Sequence, residues 1–324
     1  MKAIVQDRFG SADVLEVRDV PDPVAGPGDV LVEVRAAGCG PDVWHLMAGK
    51  PYFVRAMPGF RKMNVGVRGR DVSGRVEAVG ANVTGLRPGD EVMGVVEGSF
   101  AEFAIAAPDK LVRKPERLTF EQAAAAPISG LTAVQALRDV ARLQPGQTVL
   151  VIGAAGGVGT LAVQIAKAYG AGRVTAVCSG PKADLVRSIG ADDVIDYTRE
   201  DVTDGSRTWD VIVDCAGRRP LRHLRRALTR GGTLAIVGGD GGGNWTGGFG
   251  RQILRAPLLS LFVSQRLKPV VATEPHADLE ALRELIEAGS VTPVVDRTFA
   301  LNEAADAVRY LELGHSAGKV VVTV

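Results

Sequence analysis

The chain has 324 residues and a mass of 34.0 kDa, about twice the length of a usual single domain, which predicts two domains or one large α/β unit. Hydrophobic residues make up 46% and charged residues 23%, values typical of a folded globular protein and not of a disordered chain or a coiled coil. The net charge of +1 lacks the basic excess that binding to a phosphate backbone requires, so we predict no nucleic-acid partner.

Neither the N-terminal residues nor any later segment predicts a membrane partner. The first residues form too short an apolar stretch for a signal peptide, and no uninterrupted apolar run approaches the ~18 residues needed to cross a bilayer. Cys39, Cys178 and Cys215 are odd in number and far apart, which excludes a disulfide framework and a four-thiolate zinc site. We therefore expect a cytoplasmic protein in a reducing compartment.

The first part of the chain, to about residue 120, is rich in short β-type runs such as 31–34 and 76–79. Turn pairs such as Pro27-Gly28 and Pro88-Gly89 interrupt these runs. This pattern predicts a curled, mostly antiparallel β domain.

After Thr119, short apolar runs alternate with helical patterns, which is typical of a parallel sheet with crossover helices. The predicted strands are 148–152, 174–178, 194–196, 210–215 and 233–237. Between the first two, apolar residues at helical spacing place one helix face on the sheet: Val158, Leu161, Ala162, Ile165 and Ala166. This part is predicted to be a doubly wound nucleotide-binding domain, followed by a glycine-rich mobile loop at 238–250.

The end of the chain is predicted to return to the β domain. It contains an acidic amphipathic helix at 278–287, a second helix at 302–313 and a terminal strand at 319–324. The fold class is therefore α/β, with two domains. We assign residues 1–121 and 273–324 to the β domain and residues 122–272 to the nucleotide-binding domain.

A glycine-rich turn at 153–159 (GAAGGVG) follows a predicted strand and opens a predicted helix. Glycines there let the backbone approach a pyrophosphate, while the N–H groups and the positive end of the helix face its charge. Gly156 and Gly159 match the usual pattern, and Ala154 replaces its first glycine. The expected cofactor contacts in the turn are Ala154, Ala155, Gly156, Gly157, Val158 and Gly159. The alternative is a tight turn without a ligand.

The end of the second predicted strand bears on the choice of nicotinamide nucleotide. An NAD site places an acidic residue there to hold the ribose 2′-OH, whereas residues 178–182 (CSGPK) contain no carboxylate. Ser179 and Lys182 can donate hydrogen bonds and positive charge to a 2′-phosphate. The segment favours NADPH, although Lys182 could also be an ordinary solvated lysine.

Six motifs together resemble the medium-chain dehydrogenase/reductase superfamily, and within it the zinc-independent quinone oxidoreductases and their reticulon-interacting-protein relatives. They are GRDVSG at 69–74, VG at 79–80, RPGDEV at 87–92, GLTA at 130–133, GAAGGVG at 153–159 and GHSAGKVV at 314–321. The resemblance covers essentially the whole chain. It implies a GroES-like β domain, a Rossmann domain, and a cleft between them where NADPH delivers hydride to a small-molecule quinone, enone or other carbonyl substrate.

The resemblance also implies individual cofactor contacts. Its 2′-phosphate contacts fall on Ser179, Lys182 and Tyr197. The remaining expected cofactor contacts are Thr132, Gly238, Phe262 and Val263.

Dimers of the superfamily commonly form by joining the edges of two nucleotide-binding sheets. Residues 260–264 (SLFVS) are an apolar strand candidate near that edge. There is no lysine between Pro257 and Gln265 that would discourage the edge from pairing. We therefore expect a homodimer, since two-fold symmetry lets this edge of one protomer pair with the same edge of another. The alternative is that this run is an internal sixth strand.

The zinc-dependent branch of the same superfamily is the rival interpretation. Its first ligand is the cysteine of a Cys-Gly-x-Asp stretch, which Cys39 matches, but its histidine ligand is replaced by Arg70. An arginine cannot ligate a metal, and no thiolate is available at the third position, near Ile128. The site is predicted to be free of metal, with Cys39 a small, semi-buried residue.

Hydride transfer needs a donor for the oxygen that gains charge, and few groups qualify. Tyr52 is our first candidate and His45 the second. Many quinone reductases have an asparagine where this chain has Gly40, which puts their substrate hydrogen bonding in doubt here. The alternatives to quinone or enone reduction are alcohol dehydrogenase or enoyl-thioester reductase activity, and a catalytically silent NADPH-binding sensor or scaffold.

Overall fold

A computed structural model describes residues 1–52, 55, 66–238, 252–253 and 255–324. The chain divides into two compact units. The first unit comprises Met1–Leu131, Glu274–Gly289 and Pro293–Val324, and the second comprises Thr132–Thr273 and Ser290–Thr292. Within the described ranges, no helix is both long and apolar enough to cross a membrane.

The strands and helices are numbered along the chain. The strands are β1 (Lys2–Gln6), β2 (Glu16–Asp19), β3 (Val30–Cys39), β4 (Gly66–Val67), β5 (Asp71–Val79), β6 (Glu91–Val95), β7 (Phe103–Ala106), β8 (Leu111–Arg113), β9 (Thr148–Ile152), β10 (Arg173–Cys178), β11 (Asp193–Asp196), β12 (Trp209–Asp214), β13 (Leu228–Ile236), β14 (Arg266–Pro269), β15 (Val295–Ala300) and β16 (Lys319–Thr323). The α-helices are α1 (Pro41–Ala48), α2 (Phe120–Ala124), α3 (Pro127–Gln135), α4 (Gly157–Ala168), α5 (Ala183–Ser188), α6 (Leu221–Arg226), α7 (His276–Glu287) and α8 (Ala304–Glu312).

The first unit is built on two sheets that are mostly antiparallel. The larger has the strand order β15-β16-β3-β5-β6-β8, with β7 also paired to β3, and the smaller has the order β2-β1-β4. The final strand, β16, pairs with β3 so that Val320 lies opposite Cys39. The end of the chain thus pairs with a strand of the β domain.

The second unit contains a parallel sheet with the order β11-β10-β9-β12-β13-β14. The five predicted strands correspond to β9 to β13, and β13 begins earlier than predicted, at Leu228. The sheet is buried by helices such as α4, whose Leu161, Ala162, Ile165 and Ala166 are fully buried. This confirms the doubly wound Rossmann-type fold and brings the carboxyl ends of its strands to one edge.

The strand predicted at 260–264 is wrong. Residues 255–260 are helical, and the next strand is β14, at Arg266–Pro269. The Ser260 hydroxyl donates to the carbonyl of Ala256 one turn earlier and also accepts from the N–H of Leu267, which ties the helix end to β14. A short apolar run cannot distinguish a helix from a strand by periodicity alone. Of the glycine-rich loop predicted at 238–250, only Gly238 lies among the described residues.

Candidate cofactor-binding site

Main-chain hydrogen bonds hold the turn between β9 and α4 in place. Gly153 has a positive φ of 77°, and its N–H and that of Ala154 both donate to the carbonyl of Val177 on β10 at 3.1 Å. The N–H of Gly156 donates back to Gly153 at 3.1 Å. Ala154 and Ala155 are buried, so these two predicted contacts form the inside of the turn.

Two glycines of the turn differ in the space around them. A Cβ on Gly159 would lie 2.1 Å from the Gly153 carbonyl oxygen, so the close approach of α4 to the turn requires glycine there. Among the described residues, a Cβ on Gly156 would meet nothing nearer than that same oxygen, at 3.5 Å. Packing against the described residues therefore does not account for Gly156, whereas the approach of a ligand would.

The N-terminus of α4 is suited to an anion. Gly156 is its N-cap and supplies no side-chain cap, and Gly156, Gly157 and Val158 are partly exposed. The first N–H groups of a helix have no partner within the helix, and they add to the positive end of its dipole. The turn thus fits the pyrophosphate of a dinucleotide, with main-chain N–H groups as the donors.

A second element of the site is an open pocket at the carboxyl ends of β10 and β11. The register places Cys178 beside Asp196, so the residues that follow each strand converge there. The pocket is lined by Ser179, Gly180, Pro181, Ala183, Arg187, Val194, Asp196, Thr198 and Arg199. Lys182 ends the short turn after β10, and Tyr197, which is 52% exposed, follows β11 and donates its N–H to the Cys178 carbonyl at 3.2 Å. Ser179, Lys182 and Tyr197 are therefore brought together.

Three charged residues of this pocket were missed from the sequence: Arg187, Arg199 and Asp196. Hydrogen bonds from the N–H and hydroxyl of Thr198 hold the pKa of the Asp196 carboxyl below its usual value. Arg199 lies 3.7 Å from the same carboxylate and offsets its charge. The absence of an acid after β10 thus does not leave the pocket free of carboxylates, and the parallel pairing with β11 would have shown where Asp196 lies.

The other predicted cofactor contacts are spread over the unit. Gly238 follows β13 at the carboxyl edge of the sheet, and a Cβ there would lie 2.1 Å from the Cys215 carbonyl oxygen, so close packing requires glycine. Thr132 is buried in α3. Phe262 and Val263 precede β14 and so adjoin the amino edge of the sheet, apart from the turn and the pocket. Val271, which follows β14 and is 69% exposed, is an exposed apolar residue at the carboxyl edge instead.

The two predicted proton donors lie near α1 in the first unit. The Nδ1 atom of His45 lies 2.7 Å from the Lys50 carbonyl oxygen, so this nitrogen carries the ring proton and donates it. The Tyr52 ring stacks under the Arg55 guanidinium, whose central carbon lies 4.6 Å from the ring centroid. Residues 53–54 and 56–65, which follow, lie outside the described residues.

A largely buried polar cluster lies beside these residues. It consists of Cys39, Asp42, Asp71, Ser129 and Lys319. The Lys319 ammonium lies 2.7 Å from Asp71 Oδ2 and 3.3 Å from the Ser129 hydroxyl, and its side chain is only 5% exposed. Burial raises the pKa of the Cys39 thiol to about 12, so it remains protonated. The expectation of a semi-buried Cys39 understated its burial, which is complete.

Arg70, at the position of the zinc branch's histidine, is occupied by ion pairs. Its guanidinium lies 2.6 Å from Glu274 and 3.3 Å from Glu97. Among the residues described, His, Cys, Asp and Glu side chains do not form a group of three or more that could hold a metal ion. At the positions of two zinc ligands of the zinc-dependent branch, this chain therefore has a protonated thiol, Cys39, and an ion-paired guanidinium, Arg70.

Two family profiles match the chain. The alcohol dehydrogenase GroES-like domain covers residues 26–116, and the zinc-binding dehydrogenase family covers residues 189–322. The mitochondrial NAD(P)H oxidoreductase RTN4IP1 of Mus musculus is 34% identical over 100% of this chain and 89% of its own length. The chloroplast envelope quinone oxidoreductase homolog of Arabidopsis thaliana is 31% identical over 97% and 95%. The structure of the quinone oxidoreductase from Coxiella burnetii is similar with a TM-score of 0.87 and 30% identity, over 100% and 99% of the two chains.

Proposed function

We propose that this chain, which belongs to the medium-chain dehydrogenase/reductase superfamily of oxidoreductases, is an NADPH-dependent, zinc-independent reductase of quinones or α,β-unsaturated carbonyls. The observation that carries the proposal is the glycine turn, where Gly156 leaves space that no other described residue fills. Relatives named as quinone oxidoreductases and as an NADPH-dependent alkenal/one oxidoreductase support the substrate class.

We assign cofactor binding and substrate binding to different domains, following the two-domain organisation predicted from the sequence. When bound, NADPH supplies the hydride, and the chain must bind it, orient it and exclude water. We assign cofactor binding to residues 122–272, with the α4 N-terminus holding the pyrophosphate. We assign the substrate to residues 1–121 and 273–324.

A substrate panel tests this proposal. NADPH oxidation is followed with a quinone, an enone, an enoyl thioester and an aldehyde, before and after chelator treatment and with zinc measured by elemental analysis. We expect turnover of the quinone or enone, unaffected by chelation, because Cys39 is a protonated thiol and Arg70 cannot ligate. Turnover of only the thioester or the aldehyde would support the alternative activities, and NADPH binding without turnover would support a sensor. Loss of zinc together with activity would overturn zinc independence.

NADPH is expected to bind at least tenfold more tightly than NADH, a difference of ~1.4 kcal/mol. Lys182, Arg187 and Arg199 outweigh Asp196 around the pocket even though Arg187 pairs with Asp184 at 3.0 Å, and a 2′-phosphate gains charge-assisted hydrogen bonds from such groups. Lys182→Ala should reduce the ratio of the two affinities. Lys167→Ala is the control, since Lys167 is paired with Asp192 at 3.0 Å. Equal affinities for the two nucleotides in the unmodified protein, measured by fluorescence titration, would contradict this prediction.

We also propose a homodimer that covers exposed apolar side chains next to β14. Leu258, Leu261 and Phe262 are 62%, 77% and 84% exposed. The short strand β14 carries Lys268 and Pro269, which discourage direct pairing of edges, so we assign the contact to the apolar residues. With two-fold symmetry, the patch on one protomer covers the same patch on its partner.

Light scattering at micromolar protein should give about twice the chain mass of 34.0 kDa. Phe262→Asp should yield the monomer, because an unpaired carboxylate would then be buried in the contact. Val24→Asp is the control, since Val24 is 89% exposed and lies in the first unit. A monomeric unmodified protein would contradict the proposal.

We place the protein in the cytoplasm. Cys39, Cys178 and Cys215 are all free, and Cys39 and Cys178 are buried. A reducing compartment keeps such thiols reduced.

A further inference from the structure

The buried cluster around Lys319 contains two carboxyl groups that face one ammonium. A Cβ on Gly40 would lie 2.5 Å from Asp42 Oδ1 and 2.9 Å from Lys319 Nζ, so these two groups border the same small space. On its other side, Lys319 Nζ lies 2.7 Å from Asp71 Oδ2. Strands β5 and β16 and helix α1 thus bring three ionisable groups together.

The charges of this cluster do not balance if both carboxyl groups are ionised. The Cys39 thiol is neutral, and Ser129 carries no charge. Arg70 is the next cation, and its charge opposes the rise that burial causes in the pKa of Asp42, but Glu274 and Glu97 pair with it at 2.6 and 3.3 Å. Asp71 and Lys319 are 1% and 4% exposed, and Asp42, although partly exposed as a residue, has a buried Oδ2 atom, so the uncompensated negative charge would be poorly hydrated. Such a charge is costly, and proteins remove it by protonation.

The contacts indicate which carboxyl group takes the proton. Both oxygens of Asp71 have a partner: Oδ1 accepts from the Ile128 N–H at 2.7 Å, and Oδ2 lies 2.7 Å from the Lys319 ammonium in an ion pair. Asp42 Oδ2 is buried, and no hydrogen bond reaches it within the described part of the chain. Burial and the neighbouring Asp71 carboxylate raise the pKa of Asp42 above its usual value, against the opposing effect of Lys319. Asp71 therefore pairs with Lys319, and Asp42 is the carboxyl group left to take the proton.

We propose that Asp42 is held as a neutral carboxylic acid and supplies the proton that completes the reduction of an α,β-unsaturated carbonyl substrate, an inference that rests on the proposed function. Asp42 is partly exposed, unlike Asp71, Lys319 and Cys39, so it is the member of the cluster that can exchange its proton with the surroundings. His45 is a poorer source, because its ring proton is already donated to a carbonyl.

The proton completes a balanced reaction. Hydride addition to the β-carbon of an enone, with both electrons of the broken C–H bond, leaves an enolate and NADP⁺. The α-carbon of the enolate then forms a bond to the Asp42 proton, and the O–H electron pair stays on the carboxylate beside the Lys319 ammonium. A proton from water restores the acid, so that one enone, one NADPH and one proton become one saturated ketone and NADP⁺.

Infrared spectroscopy of the protein without nucleotide tests where the proton is held. At neutral pH we expect the C=O stretch of a protonated carboxylic acid, and Asp42→Asn should remove it. Asp109→Asn is the matched control, because Asp109 is exposed in the same unit and its replacement should leave the band unchanged. If Asp42→Asn does not fold, Asp42→Glu serves, and a shifted band is then expected. A spectrum without the band, or a band that Asp42 substitution leaves unchanged, would overturn the inference.

Kinetics tests whether the proton is donated. Asp42→Asn should lower kcat for an enone by about a hundredfold while NADPH affinity is preserved, and Asp42→Glu should restore part of the loss. Loss of the infrared band with an unchanged kcat would overturn the role of donor. An unmodified protein that shows the band but reduces no substrate would refute the proposed function instead, so the two failures are distinguishable.

Discussion

Replacing Lys319 with methionine is expected to lower the free energy of unfolding by about 3–5 kcal/mol, the usual effect of removing one partner from a buried ion pair. Lys319 and Asp71 are 5% and 1% exposed and lie 2.7 Å apart. Methionine fills much of the lysine's volume, so the effect reports the lost charge more than a cavity. Urea denaturation at neutral pH measures it.

Lys167→Met is the control for this prediction. Lys167 also pairs with a carboxylate, Asp192 at 3.0 Å, but both side chains are more than a third exposed, so the loss should be below about 1 kcal/mol. A second test is Lys319→Met combined with Asp71→Asn, which removes the unpaired charge and should recover part of the stability. Equal losses for Lys319→Met and Lys167→Met would show that the buried pair does not stabilise the fold.

The Lys319 cluster could not be derived from sequence patterns, although the segments that contain Asp71 and Lys319 were both noted there as family motifs. Lys319 meets Asp71 because β16 pairs with β3, with Val320 opposite Cys39, and β3 pairs with β5, with Gly38 opposite Asp71. Registers between strands far apart in the chain leave no local mark in the sequence. Local periodicity predicted where the strands lie in the chain, whereas the structure was needed to show which strands pair.

The glycine turn, by contrast, was predictable in place and in shape, because its strand, turn and helix are consecutive in the chain. Residues that depended on pairing were predicted less well: Asp196 in the pocket was overlooked, and Phe262 and Val263 were assigned to a strand that is not there. The physical reason is the same in both cases. The pattern of one segment predicts the conformation of that segment better than it predicts which other segments lie next to it in the fold.

The turn allows a prediction that separates folding from ligand binding. Gly159→Ala is expected to lower the free energy of unfolding by about 1–3 kcal/mol and to weaken NADPH binding strongly. Its Cβ would lie 2.1 Å from the Gly153 carbonyl oxygen and 2.7 Å from Ala154 Cα, and these backbone atoms can separate only by opening the turn. Urea denaturation and fluorescence titration with NADPH measure the two effects.

Gly156→Ala should behave differently, because among the described residues its Cβ would meet only the Gly153 oxygen, at 3.5 Å, and its φ of −86° suits alanine. We expect the unfolding free energy to fall by about 1 kcal/mol or less, the usual cost of alanine in place of a favoured N-cap residue. NADPH affinity should still fall about tenfold, or ~1.4 kcal/mol, because the methyl group occupies the space of the pyrophosphate. Gly28→Ala, whose Cβ meets nothing within 4 Å, is the control for both measurements. If Gly156→Ala binds NADPH like the unmodified protein, the space above the α4 N-terminus is not where the pyrophosphate lies.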